Sequence, residues 1–204
     1  MRRAEPPAEK LVLKPGNMLY PVPAVLVTCR RGAEDNILTI SWTGTVCTNP
    51  PMLSISVRPE RHSYPMLRET GVFAVNLPTR ALARAVDFCG VTSGRDIDKF
   101  ETLRLTKVPA SAIDAPLVRE CPVSIECRVR QVIELGSHHL FLASVEAVDV
   151  DRSLMDAKGK LRLEHADLLC YNHGSYCVAS RPFGKFGFSV EKKKAKRPAR
   201  NRTR

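Results

Sequence analysis

Val123-Ser-Ile-Glu-Cys-Arg-Val-Arg-Gln-Val-Ile-Glu-Leu135 is the stretch that decides the fold class of this 204-residue chain. Its odd positions are mostly apolar and its even positions mostly polar or charged, a period of two that is typical of a strand with one buried face. Gly136-Ser137 then suits a two-residue turn with a positive φ at the glycine. His138–Val150 predicts the returning strand. We therefore expect a long β-hairpin in the second half of the chain.

Shorter apolar runs bounded by turn residues predict further strands, namely Val22–Cys29, Ile37–Trp42, Met52–Val57, Val72–Leu77, Leu168–Tyr171 and Tyr176–Ala179. A short helix is predicted over His62–Thr70, ended by Gly71. A second is predicted from an N-cap at Thr79 to about Cys89, closed by Gly90. This pattern indicates a mainly-β barrel or sandwich with a few short helices. A barrel of this size is generally too small to enclose a large ligand, so a cofactor would bind at its rim or at a subunit interface.

The composition, 44% hydrophobic and 26% charged residues, excludes wholesale disorder and collagen-like or low-complexity classes. The net charge of +11 is unevenly placed, because residues 191–204 hold eight basic residues and one acid. That segment accounts for +7 and leaves +4 for residues 1–190. We expect an N-terminal extension over residues 1–15, one domain over 16–188, and a disordered basic tail over 189–204. The tail could bind a polyanion such as a nucleic acid.

Residues 1–15 contain no apolar targeting segment, and no stretch approaches the about 18 apolar residues of a membrane span. The seven cysteines are odd in number and scattered, which is typical of reduced thiols. We therefore expect a cytoplasmic protein with no membrane partner.

Three segments hold residue types suited to binding a cofactor. Thr39–Pro51 combines five hydroxyl side chains with the single Trp, a Gly and a Cys, groups that can hydrogen-bond a planar heterocycle and a phosphate. Arg58–Pro65 places two arginines, a His and a Ser at the start of a short helix, a common anion site. Ser93–Phe100 adds Arg95 and Lys99. Taken singly, each segment is a weak signal: an ordinary polar connection accounts for Thr39–Pro51, and a solvated basic turn accounts for Arg58–Pro65.

Together with Phe73-Ala-Val-Asn-Leu-Pro78, these segments resemble the flavoredoxin branch of the flavin reductase-like family, from about Gly16 to about Lys185. The resemblance implies an FMN-binding split β-barrel that forms a homodimer. It implies that the loop from Ser41 to Thr48 lines the isoalloxazine, and that cationic residues surround the FMN phosphate. The implied cofactor-binding residues are Ser41, Trp42, Thr43, Gly44, Cys47, Thr48, Arg58, Arg61, His62, Ser63, Asn76 and Lys99.

His138 and Cys47 are the candidate catalytic residues, because the resemblance places both near the reacting face of the flavin. Relatives have Gly-Asp-His where this chain has Gly136-Ser137-His138, and a glycine where it has Ala143. These departures leave the use of NAD(P)H open. No second cysteine stands at CxxC spacing from Cys47, so we expect no dithiol mechanism there.

The leading hypothesis is an FMN-dependent oxidoreductase that passes electrons from NAD(P)H to free flavin, a metal complex or a redox protein. A second is an electron carrier of the flavoredoxin type, reduced by a partner protein. A third is a polyanion-binding protein acting through its basic tail. A metal is not expected, because the spacing of the candidate ligands matches no common zinc module. Those ligands are His165, Cys170, His173 and Cys177.

Overall fold

The long hairpin forms the middle of the main sheet of this protein. The computed structural model describes residues 10–179 and 182–190, so the basic segment 191–204 lies outside the described residues. The strands are β1 (Val22–Pro23), β2 (Val25–Arg31), β3 (Glu34–Ile40), β4 (Thr43–Thr48), β5 (Pro51–Val57), β6 (Val72–Leu77), β7 (Lys107–Pro109), β8 (Pro116–Val118), β9 (Val123–Glu134), β10 (His139–Val150), β11 (Leu169–Asn172) and β12 (Ser175–Val178). The helices are α1 (Ser63–Thr70), α2 (Ala83–Val91) and α3 (Lys99–Leu103), and short 3₁₀ turns lie at Arg80–Leu82, Arg152–Leu154, Leu163–His165 and Phe188–Val190. The mainly-β prediction is confirmed.

The main sheet is antiparallel and has the order β3-β2-β6-β9-β10-β5-β4. β1, β11 and β12 form a smaller sheet, and β7 pairs with β8. The pairing of β10 with β9 shifts register between Leu142 and Ala143 and again between Val145 and Ala147. Such bulges increase the local twist of a strand, and they bend the hairpin so that the sheet curls.

Apolar residues fill both faces of β2, the strand next to one edge of the main sheet. Val25, Val27 and Cys29 pack into a core cluster inside the curled sheet. Ala24, just before the strand, and Leu26 point the other way and pack under α2 and α3. Because successive side chains of a strand alternate between faces, a continuous apolar run is what a strand covered on both sides requires.

The two helices predicted from sequence differ in how well their ends were placed. α1 ends at Gly71, which has the expected positive φ of 66°. The predicted start of the second helix is wrong, because the Thr79 side chain makes no capping hydrogen bond and a 3₁₀ turn precedes α2. Gly90 lies inside α2, where a Cβ atom would meet Thr39 Cβ at 3.5 Å, instead of closing the helix.

Asn76 on β6 is a core residue, and its predicted contact with a cofactor is wrong. The side chain is fully buried. Its amide nitrogen donates to the Leu26 carbonyl at 3.0 Å and to Thr28 Oγ1 at 3.1 Å. Its oxygen accepts from Val118 N at 3.0 Å and from Ser124 Oγ at 2.7 Å. These four bonds use the hydrogen-bonding capacity of the amide and join β2, β6, β8 and β9.

Replacing Asn76 by Ala should therefore destabilise the fold without touching any cleft. Several buried polar groups would lose their partner, each at a cost of about 1–3 kcal/mol, so we expect unfolding free energy to fall by at least about 3 kcal/mol in urea titrations. Asn17→Ala is the matched control, since Asn17 is exposed and donates to Tyr20 Oη alone among the described residues; its effect should stay within about 0.5 kcal/mol. Equal stability of the two variants would contradict this assignment.

Candidate functional site

A cleft of about 410 Å³ opens between the N-terminus of α1, the loop after α2 and the edge strand β3. Its walls carry basic, hydroxyl and backbone donor groups. The lining residues are Asn36, Leu38, Arg58, Glu60, Arg61, His62, Ser63, Cys89, Thr92, Ser93, Gly94 and Lys99. Two of the three segments that drew attention in the sequence, Arg58–Pro65 and Ser93–Phe100, thus meet in one cleft.

Lys99 forms part of the floor of this cleft. It is the first residue of α3 and only 4% exposed. Its Nζ donates to the carbonyl oxygens of Ile37 at 2.8 Å and Cys89 at 3.2 Å. An ammonium has three donors, so among the described residues a third N–H is left to face the cleft. Burial lowers the pKa of Lys99, and the nearby charge of Arg61 lowers it further.

Hydrogen bonds fix the residues at the start of α1. Asn36 Nδ2 donates to Ser63 Oγ at 2.7 Å, and both side chains are buried. His62 Nε2 lies 2.5 Å from Glu34 Oε1. The hydrogen bond from His62 is the main cause that lowers the pKa of Glu34. The residues around the helix start are therefore held in place by β3, which carries both Glu34 and Asn36.

A second cavity of about 170 Å³ continues the cleft along the end of β3. It shares Leu38, Arg58 and Arg61 with the first cavity. Its other lining residues are mostly aromatic, hydroxyl-bearing or imidazole side chains. They are Thr39, Ile40, Ser41, Trp42, Ser56, Val57, His138 and Tyr171.

The seam of the curled sheet creates this second cavity. β3 and β4 are the two edges of the main sheet, and Ser56 N on β5 donates to the Trp42 carbonyl just after β3 at 2.9 Å. Trp42 lies beside Tyr20, with ring centroids 6.1 Å apart, and Tyr20 lies 5.8 Å from Tyr171. The aromatic rings lie beside the seam at the end of the cleft away from α1.

His138 lines this second cavity from the turn that joins β9 to β10. Its Nδ1 is 3.0 Å from Ser137 Oγ. Burial lowers the pKa of His138, as do the positive charges of Arg58 and Arg61. These effects favour the neutral imidazole, which can accept a hydrogen bond as well as donate one.

Part of the predicted site is brought together in the structure. Ser41, Trp42, Arg58, Arg61, His62, Ser63, Lys99 and His138 line the continuous cleft. The predicted loop from Ser41 to Thr48 is instead largely strand β4, which carries Thr43, Gly44, Cys47 and Thr48 away from the lining of both cavities. Cys47 is half-buried and pairs with Met52. Contact of these four residues with a flavin stays a prediction.

Tyr171 and Gly94 are cleft residues that sequence reasoning missed. Tyr171 belongs to β11, more than a hundred residues from β3, and no local motif marks it. Gly94 lies within the segment Ser93–Phe100, in which roles were assigned from sequence only to charged residues. A Cβ atom there would overlap the Asn36 amide, so the absence of a side chain lets the loop lie against β3.

The donor set and charge of the cleft fit a phosphate ester of a planar ring. Arg58, Arg61 and Lys99 face the end near α1, against one lining carboxylate, Glu60. An excess of cationic donors is what a phosphate dianion requires. The aromatic and hydroxyl groups at the other end suit a heterocycle with polar edges. Within the described residues, no cluster of three or more His, Cys, Asp or Glu side chains could hold a metal ion.

A curled antiparallel sheet with an anion-and-ring cleft at its open seam defines a split-barrel protein with a site for a phosphorylated ring compound. The chain belongs to the flavin reductase-like family, whose domain, described as "Flavin reductase like domain", matches residues 17–180. This confirms the family recognised in the sequence. In the part of the chain that the structure describes, no helix is long and apolar enough to cross a membrane.

Solved flavoredoxins are similar to this protein along nearly the whole chain. The flavoredoxin of Desulfovibrio vulgaris (Miyazaki F) is 31% identical with a TM-score of 0.84, covering 90% of this chain and 100% of that one. The flavoredoxin of Methanosarcina acetivorans is 26% identical with a TM-score of 0.81 and the same coverage. An uncharacterised protein of Archaeoglobus fulgidus is 31% identical over 141 residues, 69% of this chain and 78% of its own.

Gly94→Ala tests the packing of the cleft wall. The new methyl group would displace the buried Asn36 amide and its bond to Ser63, and overpacking of this kind costs about 1–3 kcal/mol, measured as a loss of unfolding free energy in urea. Gly90→Ala is the control, because its Cβ would meet Thr39 at an ordinary 3.5 Å inside a helix; a gain of about 0.5–1 kcal/mol is expected. A Gly94→Ala protein as stable as the parent would show that Asn36 is not constrained by this glycine.

Proposed function

We propose that this protein binds FMN in the cleft and passes electrons from NAD(P)H through it to free flavin, a metal complex or a redox protein. The observation that carries the proposal is the single continuous cleft, cationic at the α1 end and aromatic at the seam. Membership of the flavin reductase-like family supports the same conclusion. Bound FMN would supply the redox chemistry, since a flavin accepts a hydride that no amino-acid side chain can hold.

The cationic end would hold the phosphate. Arg61 and Arg58 present guanidinium groups, which bind phosphate oxygens with paired, charge-assisted hydrogen bonds. Lys99 would add its remaining N–H from the floor. These groups stand beside the fixed start of α1, so they orient the cofactor with little loss of side-chain freedom on binding.

The seam end would hold the flavin ring and admit the nicotinamide. Trp42 and Tyr171 give the ring apolar surface, and the hydroxyl group of Ser41 can bond its polar edge. His138 lines this end, and its neutral form, which its surroundings favour, can bond a neutral amide group such as that of nicotinamide. Its role is to position the reductant, not to supply a charge.

An electron carrier that does not use NAD(P)H is the second candidate. The observation that favours it is the contact between Ser137 Oγ and His138 Nδ1 at 3.0 Å. That contact occupies one ring nitrogen of the histidine, and Ser137 stands where relatives carry an aspartate. A carrier would receive its electrons from a partner protein docked over the mouth of the cleft.

A homodimer is also part of the proposal. The described part of the N-terminal segment carries exposed apolar side chains, including Leu11 at 84% and Leu19 at 87% exposure. Burying such groups against a second copy would be favourable by about 25 cal/mol per Å². A cytoplasmic location and polyanion binding by the basic tail stay predictions.

The affinity ratio between FMN and riboflavin tests the phosphate assignment. A charge-assisted hydrogen bond is worth about 1.5–3 kcal/mol, so the full-length protein should bind FMN at least about 100-fold more tightly than riboflavin in flavin fluorescence titrations. Arg61→Ala should reduce that ratio roughly 10-fold or more.

Arg152→Ala is the matched control, because Arg152 is exposed and lines neither cavity. Its FMN-to-riboflavin ratio should equal that of the parent protein. Equal affinities of the parent for the two flavins, or no measurable affinity for FMN, would refute the proposed binding mode.

Reduction by NADH and NADPH separates the two candidate functions. Stopped-flow mixing with the FMN-loaded protein should bleach the flavin absorbance rapidly with at least one of them. His138→Ala should slow this step by roughly 2- to 10-fold through loss of one hydrogen bond, while reduction by dithionite keeps its rate. No bleaching by either nucleotide would reject the oxidoreductase and favour the carrier.

A further inference from the structure

Two cysteines face each other across the hairpin formed by β11 and β12. Cys170 and Cys177 are directly opposite in the register of the two strands. Their Sγ atoms lie 3.2 Å apart, and both residues are half-buried. The turn between the strands, His173-Gly174, has positive φ at both positions, 45° and 94°. Such a two-residue turn sets the register of the hairpin, so it holds the two thiols opposite one another.

The other five cysteines of the described residues offer no such pair. Cys29, Cys89, Cys121 and Cys127 are buried in the core, and burial raises the pKa of each, to about 12 for Cys29 and to about 11 for Cys89. Cys47 lies on the edge strand β4, opposite Met52. Buried thiols of this kind are chemically inert, which leaves the hairpin as the place where two sulfur atoms can react.

We propose that Cys170 and Cys177 form a reversible dithiol–disulfide site that exchanges with low-molecular-weight or protein disulfides. A disulfide bond is about 2.05 Å long, so the sulfur atoms must approach by about 1 Å. β12 is an edge strand of the small sheet. It can therefore make this movement without disturbing a further strand.

The exchange balances in two steps. The Cys177 thiolate attacks one sulfur of a disulfide R–S–S–R, forms a Cys177–S–S–R bond and releases RS⁻. Cys170 then loses its proton and attacks the Cys177 sulfur, which forms the Cys170–Cys177 bond and releases the second RS⁻. The two cysteine protons pass to the released thiolates. The cysteine pair has lost two electrons, and the substrate disulfide has gained them.

Cys177 is assigned the first attack because the Cys170 thiol donates a hydrogen bond to the Cys177 carbonyl oxygen at 3.4 Å, and a hydrogen bond made by the neutral form disfavours ionisation. Burial, the hydrogen bond with Cys177 and the charge of Cys177 raise the pKa of Cys170 to about 11. A thiol attacks only as its thiolate. Cys170 is therefore the resolving residue, which reacts once its partner has been converted to a mixed disulfide.

The site lies beside the candidate flavin cleft but does not depend on it. Tyr171, next to Cys170, lines the ring end of the cleft. Tyr176, next to Cys177, donates to Asp87 Oδ1 on α2 at 3.2 Å. The proposal requires no bound FMN, so a failure to bind FMN and a failure to form the disulfide are separate results.

Equilibration of the full-length protein in glutathione buffers tests the site. The protein is equilibrated at a series of ratios of reduced glutathione to glutathione disulfide. Its free thiols are then alkylated, and the state of each cysteine is determined by peptide mass spectrometry. The expected result is one Cys170–Cys177 disulfide, lighter by two hydrogen atoms, that dithiothreitol reverses while the other five cysteines remain alkylated. Two alkylated hairpin cysteines at every ratio, or a disulfide between other cysteines, would overturn the proposal.

Single variants test the order of attack. Cys170→Ser should accumulate glutathione on Cys177, because no thiol is left to resolve the mixed disulfide. Cys177→Ser should acquire glutathione on Cys170 several-fold more slowly, because burial and the bond to the backbone carbonyl of residue 177 persist in this variant and keep Cys170 in its thiol form, while the thiolate fraction sets the rate. Cys47→Ser is the control and should form the hairpin disulfide as the parent does. Equal rates for the first two variants would show that the assigned order is wrong.

Discussion

The ammonium group of Lys99 joins the elements that make the floor of the cleft. It bonds the carbonyl of Ile37 on β3 and the carbonyl of Cys89 on α2, while its own backbone begins α3. Removing a charge from water is costly unless polar groups surround it. The two carbonyl oxygens stabilise part of the buried charge of Lys99, and an anion bound in the cleft would stabilise the rest. The same contact thus stabilises the fold and makes the cleft suited to a phosphate.

The open seam of the curled sheet explains why the cleft is elongated and differs in chemistry from end to end. β3 forms one wall along most of its length. At one end the start of α1 brings basic and hydroxyl groups to that strand. At the other end the strand leads to Trp42, and β11 brings Tyr171. A closed barrel of this size would have no such groove, because its interior would be filled with side chains.

The strands with alternating or continuous apolar residues were predictable from sequence, because a strand buried on one face has apolar residues at every second position and a strand buried on both faces has them throughout. β9 and β6 are examples, with bounds that match the prediction to within one residue. β4 was missed since Thr43–Thr48 has no apolar alternation. It forms a strand because it pairs with the exposed edge of β5. That pairing depends on the neighbouring strand and leaves no pattern in the segment's own sequence. Gly90 was misplaced because a glycine near the end of a helical pattern resembles a helix terminator in sequence, whereas α2 continues through it to Val91.

The basic motifs around Arg58 and Lys99 were found from residue types alone, since a phosphate site needs cationic donors wherever it is built. Asn76 was misassigned because a polar residue in a strand looks the same in sequence whether it bonds a ligand or the core. The sequence by itself thus determined the fold class, the family and the charged half of the site. Only the tertiary structure decided that Asn76 is buried, that Tyr171 reaches the cleft and that Cys170 meets Cys177. The first two facts depend on which strands become neighbours, because strand pairing joins residues far apart in the chain, where local patterns carry no information. The third depends on the exact register of a short hairpin, which the apolar pattern of its strands does not specify.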